Sequence, residues 1–173
     1  MGCHPVTVSR LDEFNSESAD VAVEALRGCN AAPRFAAELV AARPFPDAGA
    51  LVRRAGEVAR GLPWDEVQLA LATHPRIGDR VEGSSAEAQA SRREQGAMGG
   101  ADDDTRAAIV EGNRAYEERF GHVYLIRAAG RSPEEMLAEL RRRLDNDPDA
   151  ERAEVVEQLA QITELRVQGL VGA

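Results

Sequence analysis

The chain has 173 residues, of which 43% are hydrophobic and 29% are charged, and its formal net charge is -9. This length and composition predict one globular domain over residues 1–173, with a mobile N-terminus at 1–9. The acidic balance argues against a nucleic-acid partner, because such proteins carry a basic excess or a basic stripe. The densest basic run, the three arginines at 141–143, is typical of a solvated helix face.

Cysteine usage and hydropathy bear on the cellular compartment. The two cysteines, Cys3 and Cys29, are too few for the disulfide framework of a small secreted protein. No apolar run approaches the roughly 20 residues of a membrane span, and no charged segment followed by an apolar one marks a leader. We therefore expect a protein of the reducing cytoplasm with no membrane partner.

The composition also favours helix, because aromatic residues make up only 4% of the chain and Ala, Leu, Glu and Arg dominate. Apolar residues spaced three and four apart, together with capping and stop residues, predict eight helices. They cover residues 18–29, 33–40, 48–62, 64–73, 84–100, 103–119, 131–144 and 146–170. In the seventh, Ser132 is the predicted N-cap, Pro133 the first helical residue and Glu135 the partner that completes a capping box.

One stretch, "HVYLIRA" at 122–128, has the residue types of a strand. A single strand cannot form a sheet, so we predict an extended or irregular buried segment between two helices. With no repeat and no interdomain linker, the expected fold is all-α, a single-domain helical bundle of about eight helices.

His74 is the first candidate functional residue. Val67, Leu71 and His74 follow Trp64 at steps of three, four and three, so His74 ends an inward-facing stripe. Pro75 disfavours helical geometry at His74 and ends the helix there. A helix C-terminus favours the imidazolium, which predicts a raised pKa unless burial outweighs it. The stripe fits either a hydrogen-bonded core histidine or a site residue.

A second polar face lies in "SRREQ" at 91–95. Ser91, Glu94 and Gln95 are at positions i, i+3 and i+4 and share one side of a helix, whereas Arg92 and Arg93 point elsewhere, toward solvent. A hydroxyl, a carboxylate and an amide on one side fit either a polar surface face or a site with a base and hydrogen-bonding groups.

Arg166 is out of place on the last predicted helix. It falls in the middle of the apolar stripe formed by Val155, Leu159 and Ile162. An unpaired buried charge costs several kcal/mol, so Arg166 requires an anionic partner. That partner is either a buried carboxylate or a carboxylate or imide of a substrate. Asn113 also lies on an apolar stripe, where an interhelical hydrogen bond explains it.

No metal or nucleotide motif is present in the sequence. The three histidines, His4, His74 and His122, are far apart, and no Cys or His pair has ligand spacing. The glycines of "GAMGG" follow no predicted strand and make a weak phosphate loop. Spacing and composition therefore lead to a helical protein with a pocket of histidine, glutamate and arginine.

Seven stretches, in this order along the chain, resemble the sequence blocks of the 2-oxo-4-hydroxy-4-carboxy-5-ureidoimidazoline (OHCU) decarboxylase family. They are "FNSES", "RPFPDAGAL", "HPRIG", "SRREQGAM", "NRAYEERFGHVYLI", "SPEEMLAELRRRLDNDPDAE" and "EVVEQLAQITELRV". The resemblance extends over roughly residues 10–170, and several separated motifs in the right order make it specific.

The resemblance implies an all-α, commonly dimeric decarboxylase of urate degradation that forms (S)-allantoin and needs neither metal nor organic cofactor. The family's catalytic histidine and glutamate match His74 and Glu94. The positions that match its substrate-binding residues are Pro75, Ser91, Arg92, Arg93, Gln95, Tyr124, Leu125, Ile126, Arg127, Ala128 and Arg166. At 124–128 the family uses main-chain groups, and His122 and Arg127 stand where apolar or small residues are common.

These positions lead to a mechanistic hypothesis in which His74 and Glu94 act as a coupled pair around the substrate's hydroxyl and carboxylate. Arg166 would bind ring or ureido oxygens, and Gln95 with the main chain of 124–128 would read the amide edges. Two alternatives stay open at this stage: a non-catalytic helical interaction module, and a related lyase or hydrolase acting on another ureido acid.

Overall fold

The computed structural model describes residues 9–79 and 84–172, with main chain only at 86 and 87. Apart from Ser9, the predicted mobile N-terminus lies outside these residues. The described part consists of α-helices, one 3-10 helix and connecting segments, without a strand. The α-helices are α1 (Arg10–Ser16), α2 (Ala19–Arg27), α3 (Pro33–Ala41), α4 (Ala48–Arg60), α5 (Trp64–Leu71), α6 (Ala86–Glu94), α7 (Asp103–Phe120), α8 (Pro133–Leu144) and α9 (Pro148–Val171).

All eight predicted helices are present, and the all-α class is confirmed. Helix α1 was not predicted; a capping box between Ser9 and Asp12 starts it. The helix predicted over 84–100 is divided, because α6 ends at Glu94 and the glycine-rich residues Gly96–Gly100 form the 3-10 helix. Glycine is a poor residue for an α-helix interior, which explains why the α-helix stops before this stretch.

The described side chains form two hydrophobic cores. Helix α4 packs along α9, and their apolar faces join α1, α2, α3 and α5 in the first core. Helices α7 and α8 pack on each other around the second core, to which Met98 of the 3-10 helix contributes. None of the described helices combines the length and the apolar character that crossing a membrane requires.

The strand-like segment 122–128 runs between these two cores. Gly121, with φ of 77°, ends α7 in the left-handed conformation that glycine adopts without strain, and the chain continues extended. Side chains alternate along an extended chain, so Leu125 belongs to the first core while Tyr124 and Ile126 belong to the second. The segment is neither helix nor strand and lies between two helices, as the prediction of an extended or irregular segment has it, although Arg127 is exposed. Its strand-like composition reflects the contribution of its apolar side chains to both cores.

The prediction of a solvated face at 141–143 is wrong for one of its three arginines. Arg141 and Arg142 are exposed, but Arg143 is fully buried and pairs with Glu151 of α9, which is also fully buried. Met136, Leu140 and Arg143 are spaced four and three apart, so Arg143 lies on the apolar stripe of α8. The periodicity that marked Arg166 marks Arg143 as well.

Candidate active site

His74 lies just beyond the end of α5 and faces inward, as its position on the stripe predicts. It is 8% exposed. Its Nδ1 donates a hydrogen bond to the main-chain oxygen of Ala70 at 2.9 Å, since a carbonyl oxygen only accepts. This bond assigns the proton to Nδ1 and leaves Nε2 as the unprotonated nitrogen. The buried Nε2 has no hydrogen-bond partner within the described residues.

The pKa of His74 is lowered, not raised. Burial is the main cause and the positive charge of Arg166 adds to it, which brings the pKa to about 4 despite the opposing effects of the Ala70 carbonyl and Glu94. The helix C-terminus that favours an imidazolium is therefore outweighed. At neutral pH His74 presents a neutral imidazole with a free basic nitrogen.

The anionic partner that Arg166 requires is Glu94. The guanidinium forms two hydrogen bonds with this carboxylate, from Nε at 2.8 Å and from Nη2 at 2.9 Å. Nη2 also donates to the Ser91 hydroxyl at 3.2 Å. The side chains of Arg166 and Glu94 are only 3% and 14% exposed. The buried Nη1 of Arg166 has no partner in the described part of the chain, so one edge of the fork is unused.

The turn after Pro75 is held from two sides. The Gln95 amide accepts from the Gly78 N–H at 3.2 Å and donates to the Arg76 oxygen at 3.4 Å. Asn113 of α7 donates to the Ile77 oxygen at 2.9 Å. The interhelical bond expected for Asn113 is therefore a bond to the turn. Both ends of the Gln95 amide already bind main chain, so its role in this structure is to hold the turn that carries His74.

Two cavities meet at Glu94. The smaller one has a volume of about 20 Å³, which is room for about one water molecule. Its lining consists of His74, Pro75, Ile77, Ser91, Glu94, Gln95, Tyr124, Leu125, Ile126, Ala128 and Ile162. The larger one has a volume of about 600 Å³. It is lined by Arg10, Ala25, Gly28, Cys29, Ala90, Arg93, Glu94, Ala129, Leu165, Arg166, Gly169 and Leu170.

The groups suited to proton transfer lie at the smaller cavity, although the larger one has more room. The smaller cavity is lined by the unpartnered imidazole nitrogen of His74 and by the Glu94 carboxylate, whereas the larger one contains the thiol of Cys29. Burial raises the pKa of Cys29 to about 12, so this thiol stays protonated at neutral pH. Among the described residues, no group of three or more His, Cys, Asp and Glu side chains could hold a metal ion.

The structure brings together most of the positions singled out in the sequence. Nine of them line the smaller cavity, and Arg166 reaches Ser91 and Glu94 at its edge. Arg92, Arg93 and Arg127 do not line it, because their side chains are exposed, as expected for the first two. Arg93 lines the larger cavity instead.

Sequence reasoning missed two buried polar residues behind the segment 124–128. Arg143 donates from Nη1 to the Leu125 oxygen at 2.7 Å. The Gln158 side-chain oxygen accepts from the Arg127 N–H at 2.8 Å. Gln158 is one turn before Ile162 on the buried stripe of α9, so the spacing that located Arg166 also contained this signal.

Comparison with known proteins gives a consistent result. The OHCU decarboxylase family model matches residues 15–168. The 2-oxo-4-hydroxy-4-carboxy-5-ureidoimidazoline decarboxylase of Amia calva is 32% identical over 141 residues, which are 80% of this chain and 81% of the relative. The decarboxylase of the same name from Mus musculus is 29% identical over 143 residues, 82% of this chain and 80% of the relative.

Two solved structures share the fold. One is an OHCU decarboxylase crystallised in the presence of (S)-allantoin, with a TM-score of 0.75, 22% identity and coverage of 91% of this chain and all of that one. The other is an (S)-allantoin synthase, with a TM-score of 0.67, 16% identity and coverage of 93% of this chain and 54% of that one.

Proposed function

This chain belongs to the OHCU decarboxylase family of carboxy-lyases, and we propose that it converts 2-oxo-4-hydroxy-4-carboxy-5-ureidoimidazoline to (S)-allantoin and CO2 in urate degradation. One observation carries this proposal at the level of chemistry. A buried, neutral imidazole with an unpartnered Nε2 lines the same cavity as a carboxylate held by an arginine fork.

The substrate explains why side chains alone suffice. When the bond to the carboxylate carbon breaks and CO2 leaves, the electron pair moves into the adjacent C=N bond of the ring. The ring is therefore its own electron sink, and the protein's tasks are to orient the carboxylate, stabilise charge and deliver a proton to one face. Accordingly, we propose that the enzyme uses neither a metal nor an organic cofactor.

The neutral His74 is suited to accept a proton before it donates one. Its Nε2 is proposed to take the proton of the substrate hydroxyl group and, after CO2 has left, to deliver it to the ring carbon that becomes the stereocentre of allantoin, while Nδ1 remains bonded to Ala70. Glu94 is proposed to hold the substrate hydroxyl. Arg166 is proposed to bind a ring or ureido oxygen through its planar fork.

Substrate binding is proposed to open the Arg166–Glu94 pair. The cavity at His74 has room for about one water molecule, and Glu94 lines both this cavity and the larger one. The substrate is proposed to enter through the larger cavity and to replace Glu94 on the guanidinium. The Glu94 carboxylate then becomes free to hold the substrate hydroxyl.

The test is to generate the substrate from urate in situ and to follow (S)-allantoin by circular dichroism. His74→Ala and Glu94→Ala should lower kcat by about 10²–10⁴-fold, the usual contribution of positioned proton transfer. Glu111→Ala is the control, because Glu111 is exposed on α7. Variants that match the wild type contradict the site, and a wild type that does not exceed spontaneous decay contradicts the function.

The assembly and location of the enzyme are also proposals. We expect a cytoplasmic homodimer, as the family resemblance implies. The chain has a mass of 18.7 kDa, and light scattering on a sizing column should give twice this value. Activity should survive exhaustive dialysis against a chelator. Loss of activity after this dialysis would show that a metal ion takes part.

A further inference from the structure

Two buried polar side chains bind the main chain of segment 124–128. Arg143 of α8 binds the Leu125 oxygen, and Gln158 of α9 binds the Arg127 N–H. The two bonds flank Ile126, whose side chain lines the smaller cavity. Neither Arg143 nor Gln158 lines this cavity, so both act through the segment.

The bond to Leu125 is part of a fully buried network. Arg143 donates to Glu151 from Nε at 2.9 Å and from Nη2 at 2.5 Å, which leaves Nη1 for the Leu125 oxygen at 2.7 Å. The Tyr116 hydroxyl donates to the same carboxylate. The guanidinium also lies 4.9 Å from the centre of the Tyr124 ring. Arg143 is therefore held in place by several partners, and it in turn holds the Leu125 carbonyl oxygen in one position.

The bond from Gln158 acts alone and is easier to test. Gln158 is 6% exposed, and its side-chain oxygen is 2.8 Å from the Arg127 nitrogen. The exposed Arg127 side chain has no hydrogen bond or ion pair to the described residues, so this main-chain bond fixes the orientation of the peptide after Ile126. An extended segment outside a sheet lacks ladder hydrogen bonds, and side chains must supply them.

We infer that Gln158 and Arg143 are positioning residues that set the main chain of 124–128 at the distance from His74 needed for decarboxylation. The inference rests on the proposed function. A displacement of about 1 Å at such a surface can cost on the order of 10²-fold in rate. The expected effect is on kcat and on the stereochemistry of the product, because a displaced segment no longer holds the ring with one face toward the proton donor.

Gln158→Met tests this inference, because it keeps the length of the side chain and removes the acceptor. Gln161→Met is the matched control: Gln161 lies on the same helix, is partly buried, and among the described residues bonds only to Glu157, at 3.0 Å. Gln158→Met should lower kcat about 10–100-fold and reduce the (S) excess of allantoin, with KM less affected, while Gln161→Met keeps both.

Two further variants separate positioning from stability. Gln158→Glu should restore kcat, because a carboxyl oxygen accepts the Arg127 N–H in either protonation state. Gln158→Asn, whose shorter amide falls short of that N–H, replaces Gln158→Met if the latter does not fold. A structural role alone would change the melting temperature and leave kcat per folded molecule unchanged.

The outcomes distinguish this inference from the proposed function. An active wild type together with a Gln158→Met or Gln158→Asn enzyme within about twofold of Gln161→Met in kcat and (S) excess overturns the inference alone. A wild type without activity on the urate-derived intermediate overturns the proposed function and the inference with it.

Discussion

Arg166 and Glu94 bury opposite charges where the two cavities meet. Pairs of this kind add little to stability compared with apolar packing, because each partner loses its hydration. With its bidentate contact to Glu94 and a third bond to Ser91, the Arg166 guanidinium is instead a preformed carboxylate-binding group that Glu94 already occupies. On the proposed mechanism, the substrate competes with Glu94 for this fork.

Arg166→Lys therefore should weaken substrate binding even though the charge is kept. An ammonium is a point charge and cannot reproduce the planar fork, so we expect KM to rise about tenfold or more. The control is Arg60→Lys, because Arg60 of α4 makes a similar bidentate contact with Glu157 outside both cavities. Equal KM values for the two variants would assign Arg166 a purely structural role.

The lowered pKa of His74 makes stability depend on pH. Above pH 6.5 the ring is neutral in both the folded and the unfolded chain, and its contribution is complete. Between pH 6.5 and about 4 the unfolded chain takes up a proton that the folded chain refuses, so stability falls with falling pH. The loss is about 1.4 kcal/mol per pH unit, or about 2 kcal/mol at pH 5.

Urea unfolding of the wild type and His74→Gln measures this effect. Because the variant lacks the titrating ring, the difference in free energy of unfolding between the two proteins should shrink by about 2 kcal/mol from pH 7.5 to pH 5. Parallel pH profiles would show that the folded chain protonates His74 as readily as the unfolded one.

At the residue scale, helical periodicity identified the unusual positions but not their partners. The positions of His74 and Arg166 on apolar stripes followed from spacing alone. That Arg166 binds Glu94, 72 residues earlier, depends on how α6 packs against α9. The two main-chain bonds of Gln95 depend on the path of the turn after Pro75, which no periodic pattern encodes.

At the element scale, α8 packs tightly against α7 at Gly112. A Cβ at this position would lie 2.6 Å from Cδ2 of Leu140, a fully buried residue of the second core. The helices therefore touch through a position without a side chain. From these two helices, Asn113 of α7 binds the Ile77 oxygen and Arg143 of α8 binds the Leu125 oxygen, and both Ile77 and Leu125 line the smaller cavity.

Gly112→Ala should destabilise the protein by about 1–3 kcal/mol, because overpacking at Leu140 exceeds the gain in helix propensity. Gly169→Ala is the matched control: Gly169 is also inside a helix, α9, but no atom lies within 4 Å of its added Cβ. This control should gain up to about 1 kcal/mol. Urea unfolding of both variants checks the signs, and a stabilised Gly112→Ala would show that Leu140 repacks freely.

Whether a helix could be predicted from the sequence depends on the local signals that it carries. Helix α8 was predictable because Ser132, Pro133 and Glu135 all mark its start. Helix α1 was missed because its seven residues are too few to show a periodic stripe, with only Phe14 buried. That 122–128 is extended was predictable from its composition, whereas its place between two cores depends on tertiary packing.

At the scale of the whole molecule, the larger cavity carries a local charge of opposite sign to the net charge of the chain. The net charge is -9, which repels an anionic substrate at long range. The larger cavity reverses this locally, because three arginines and one glutamate line it. Arg10 and Arg93 make no ion pair within the described residues, so their charges are available to an incoming carboxylate. The proposed entry route is therefore also the cationic part of the surface.

Arg10→Glu tests this arrangement, because Arg10 is exposed and lies outside the proposed chemistry at His74. We expect kcat/KM to fall about threefold or more at 10 mM salt, where charges act over about 30 Å. At 1 M salt, where the screening length is about 3 Å, the difference from the wild type should disappear. Arg114→Glu is the control: it makes the same charge change at an exposed residue of α7 that lines neither cavity. If both variants lose kcat/KM equally, the net charge of the molecule governs the encounter and the cavity arginines do not steer it. A loss confined to Arg10→Glu, and abolished by salt, is the result expected if the substrate enters past α1.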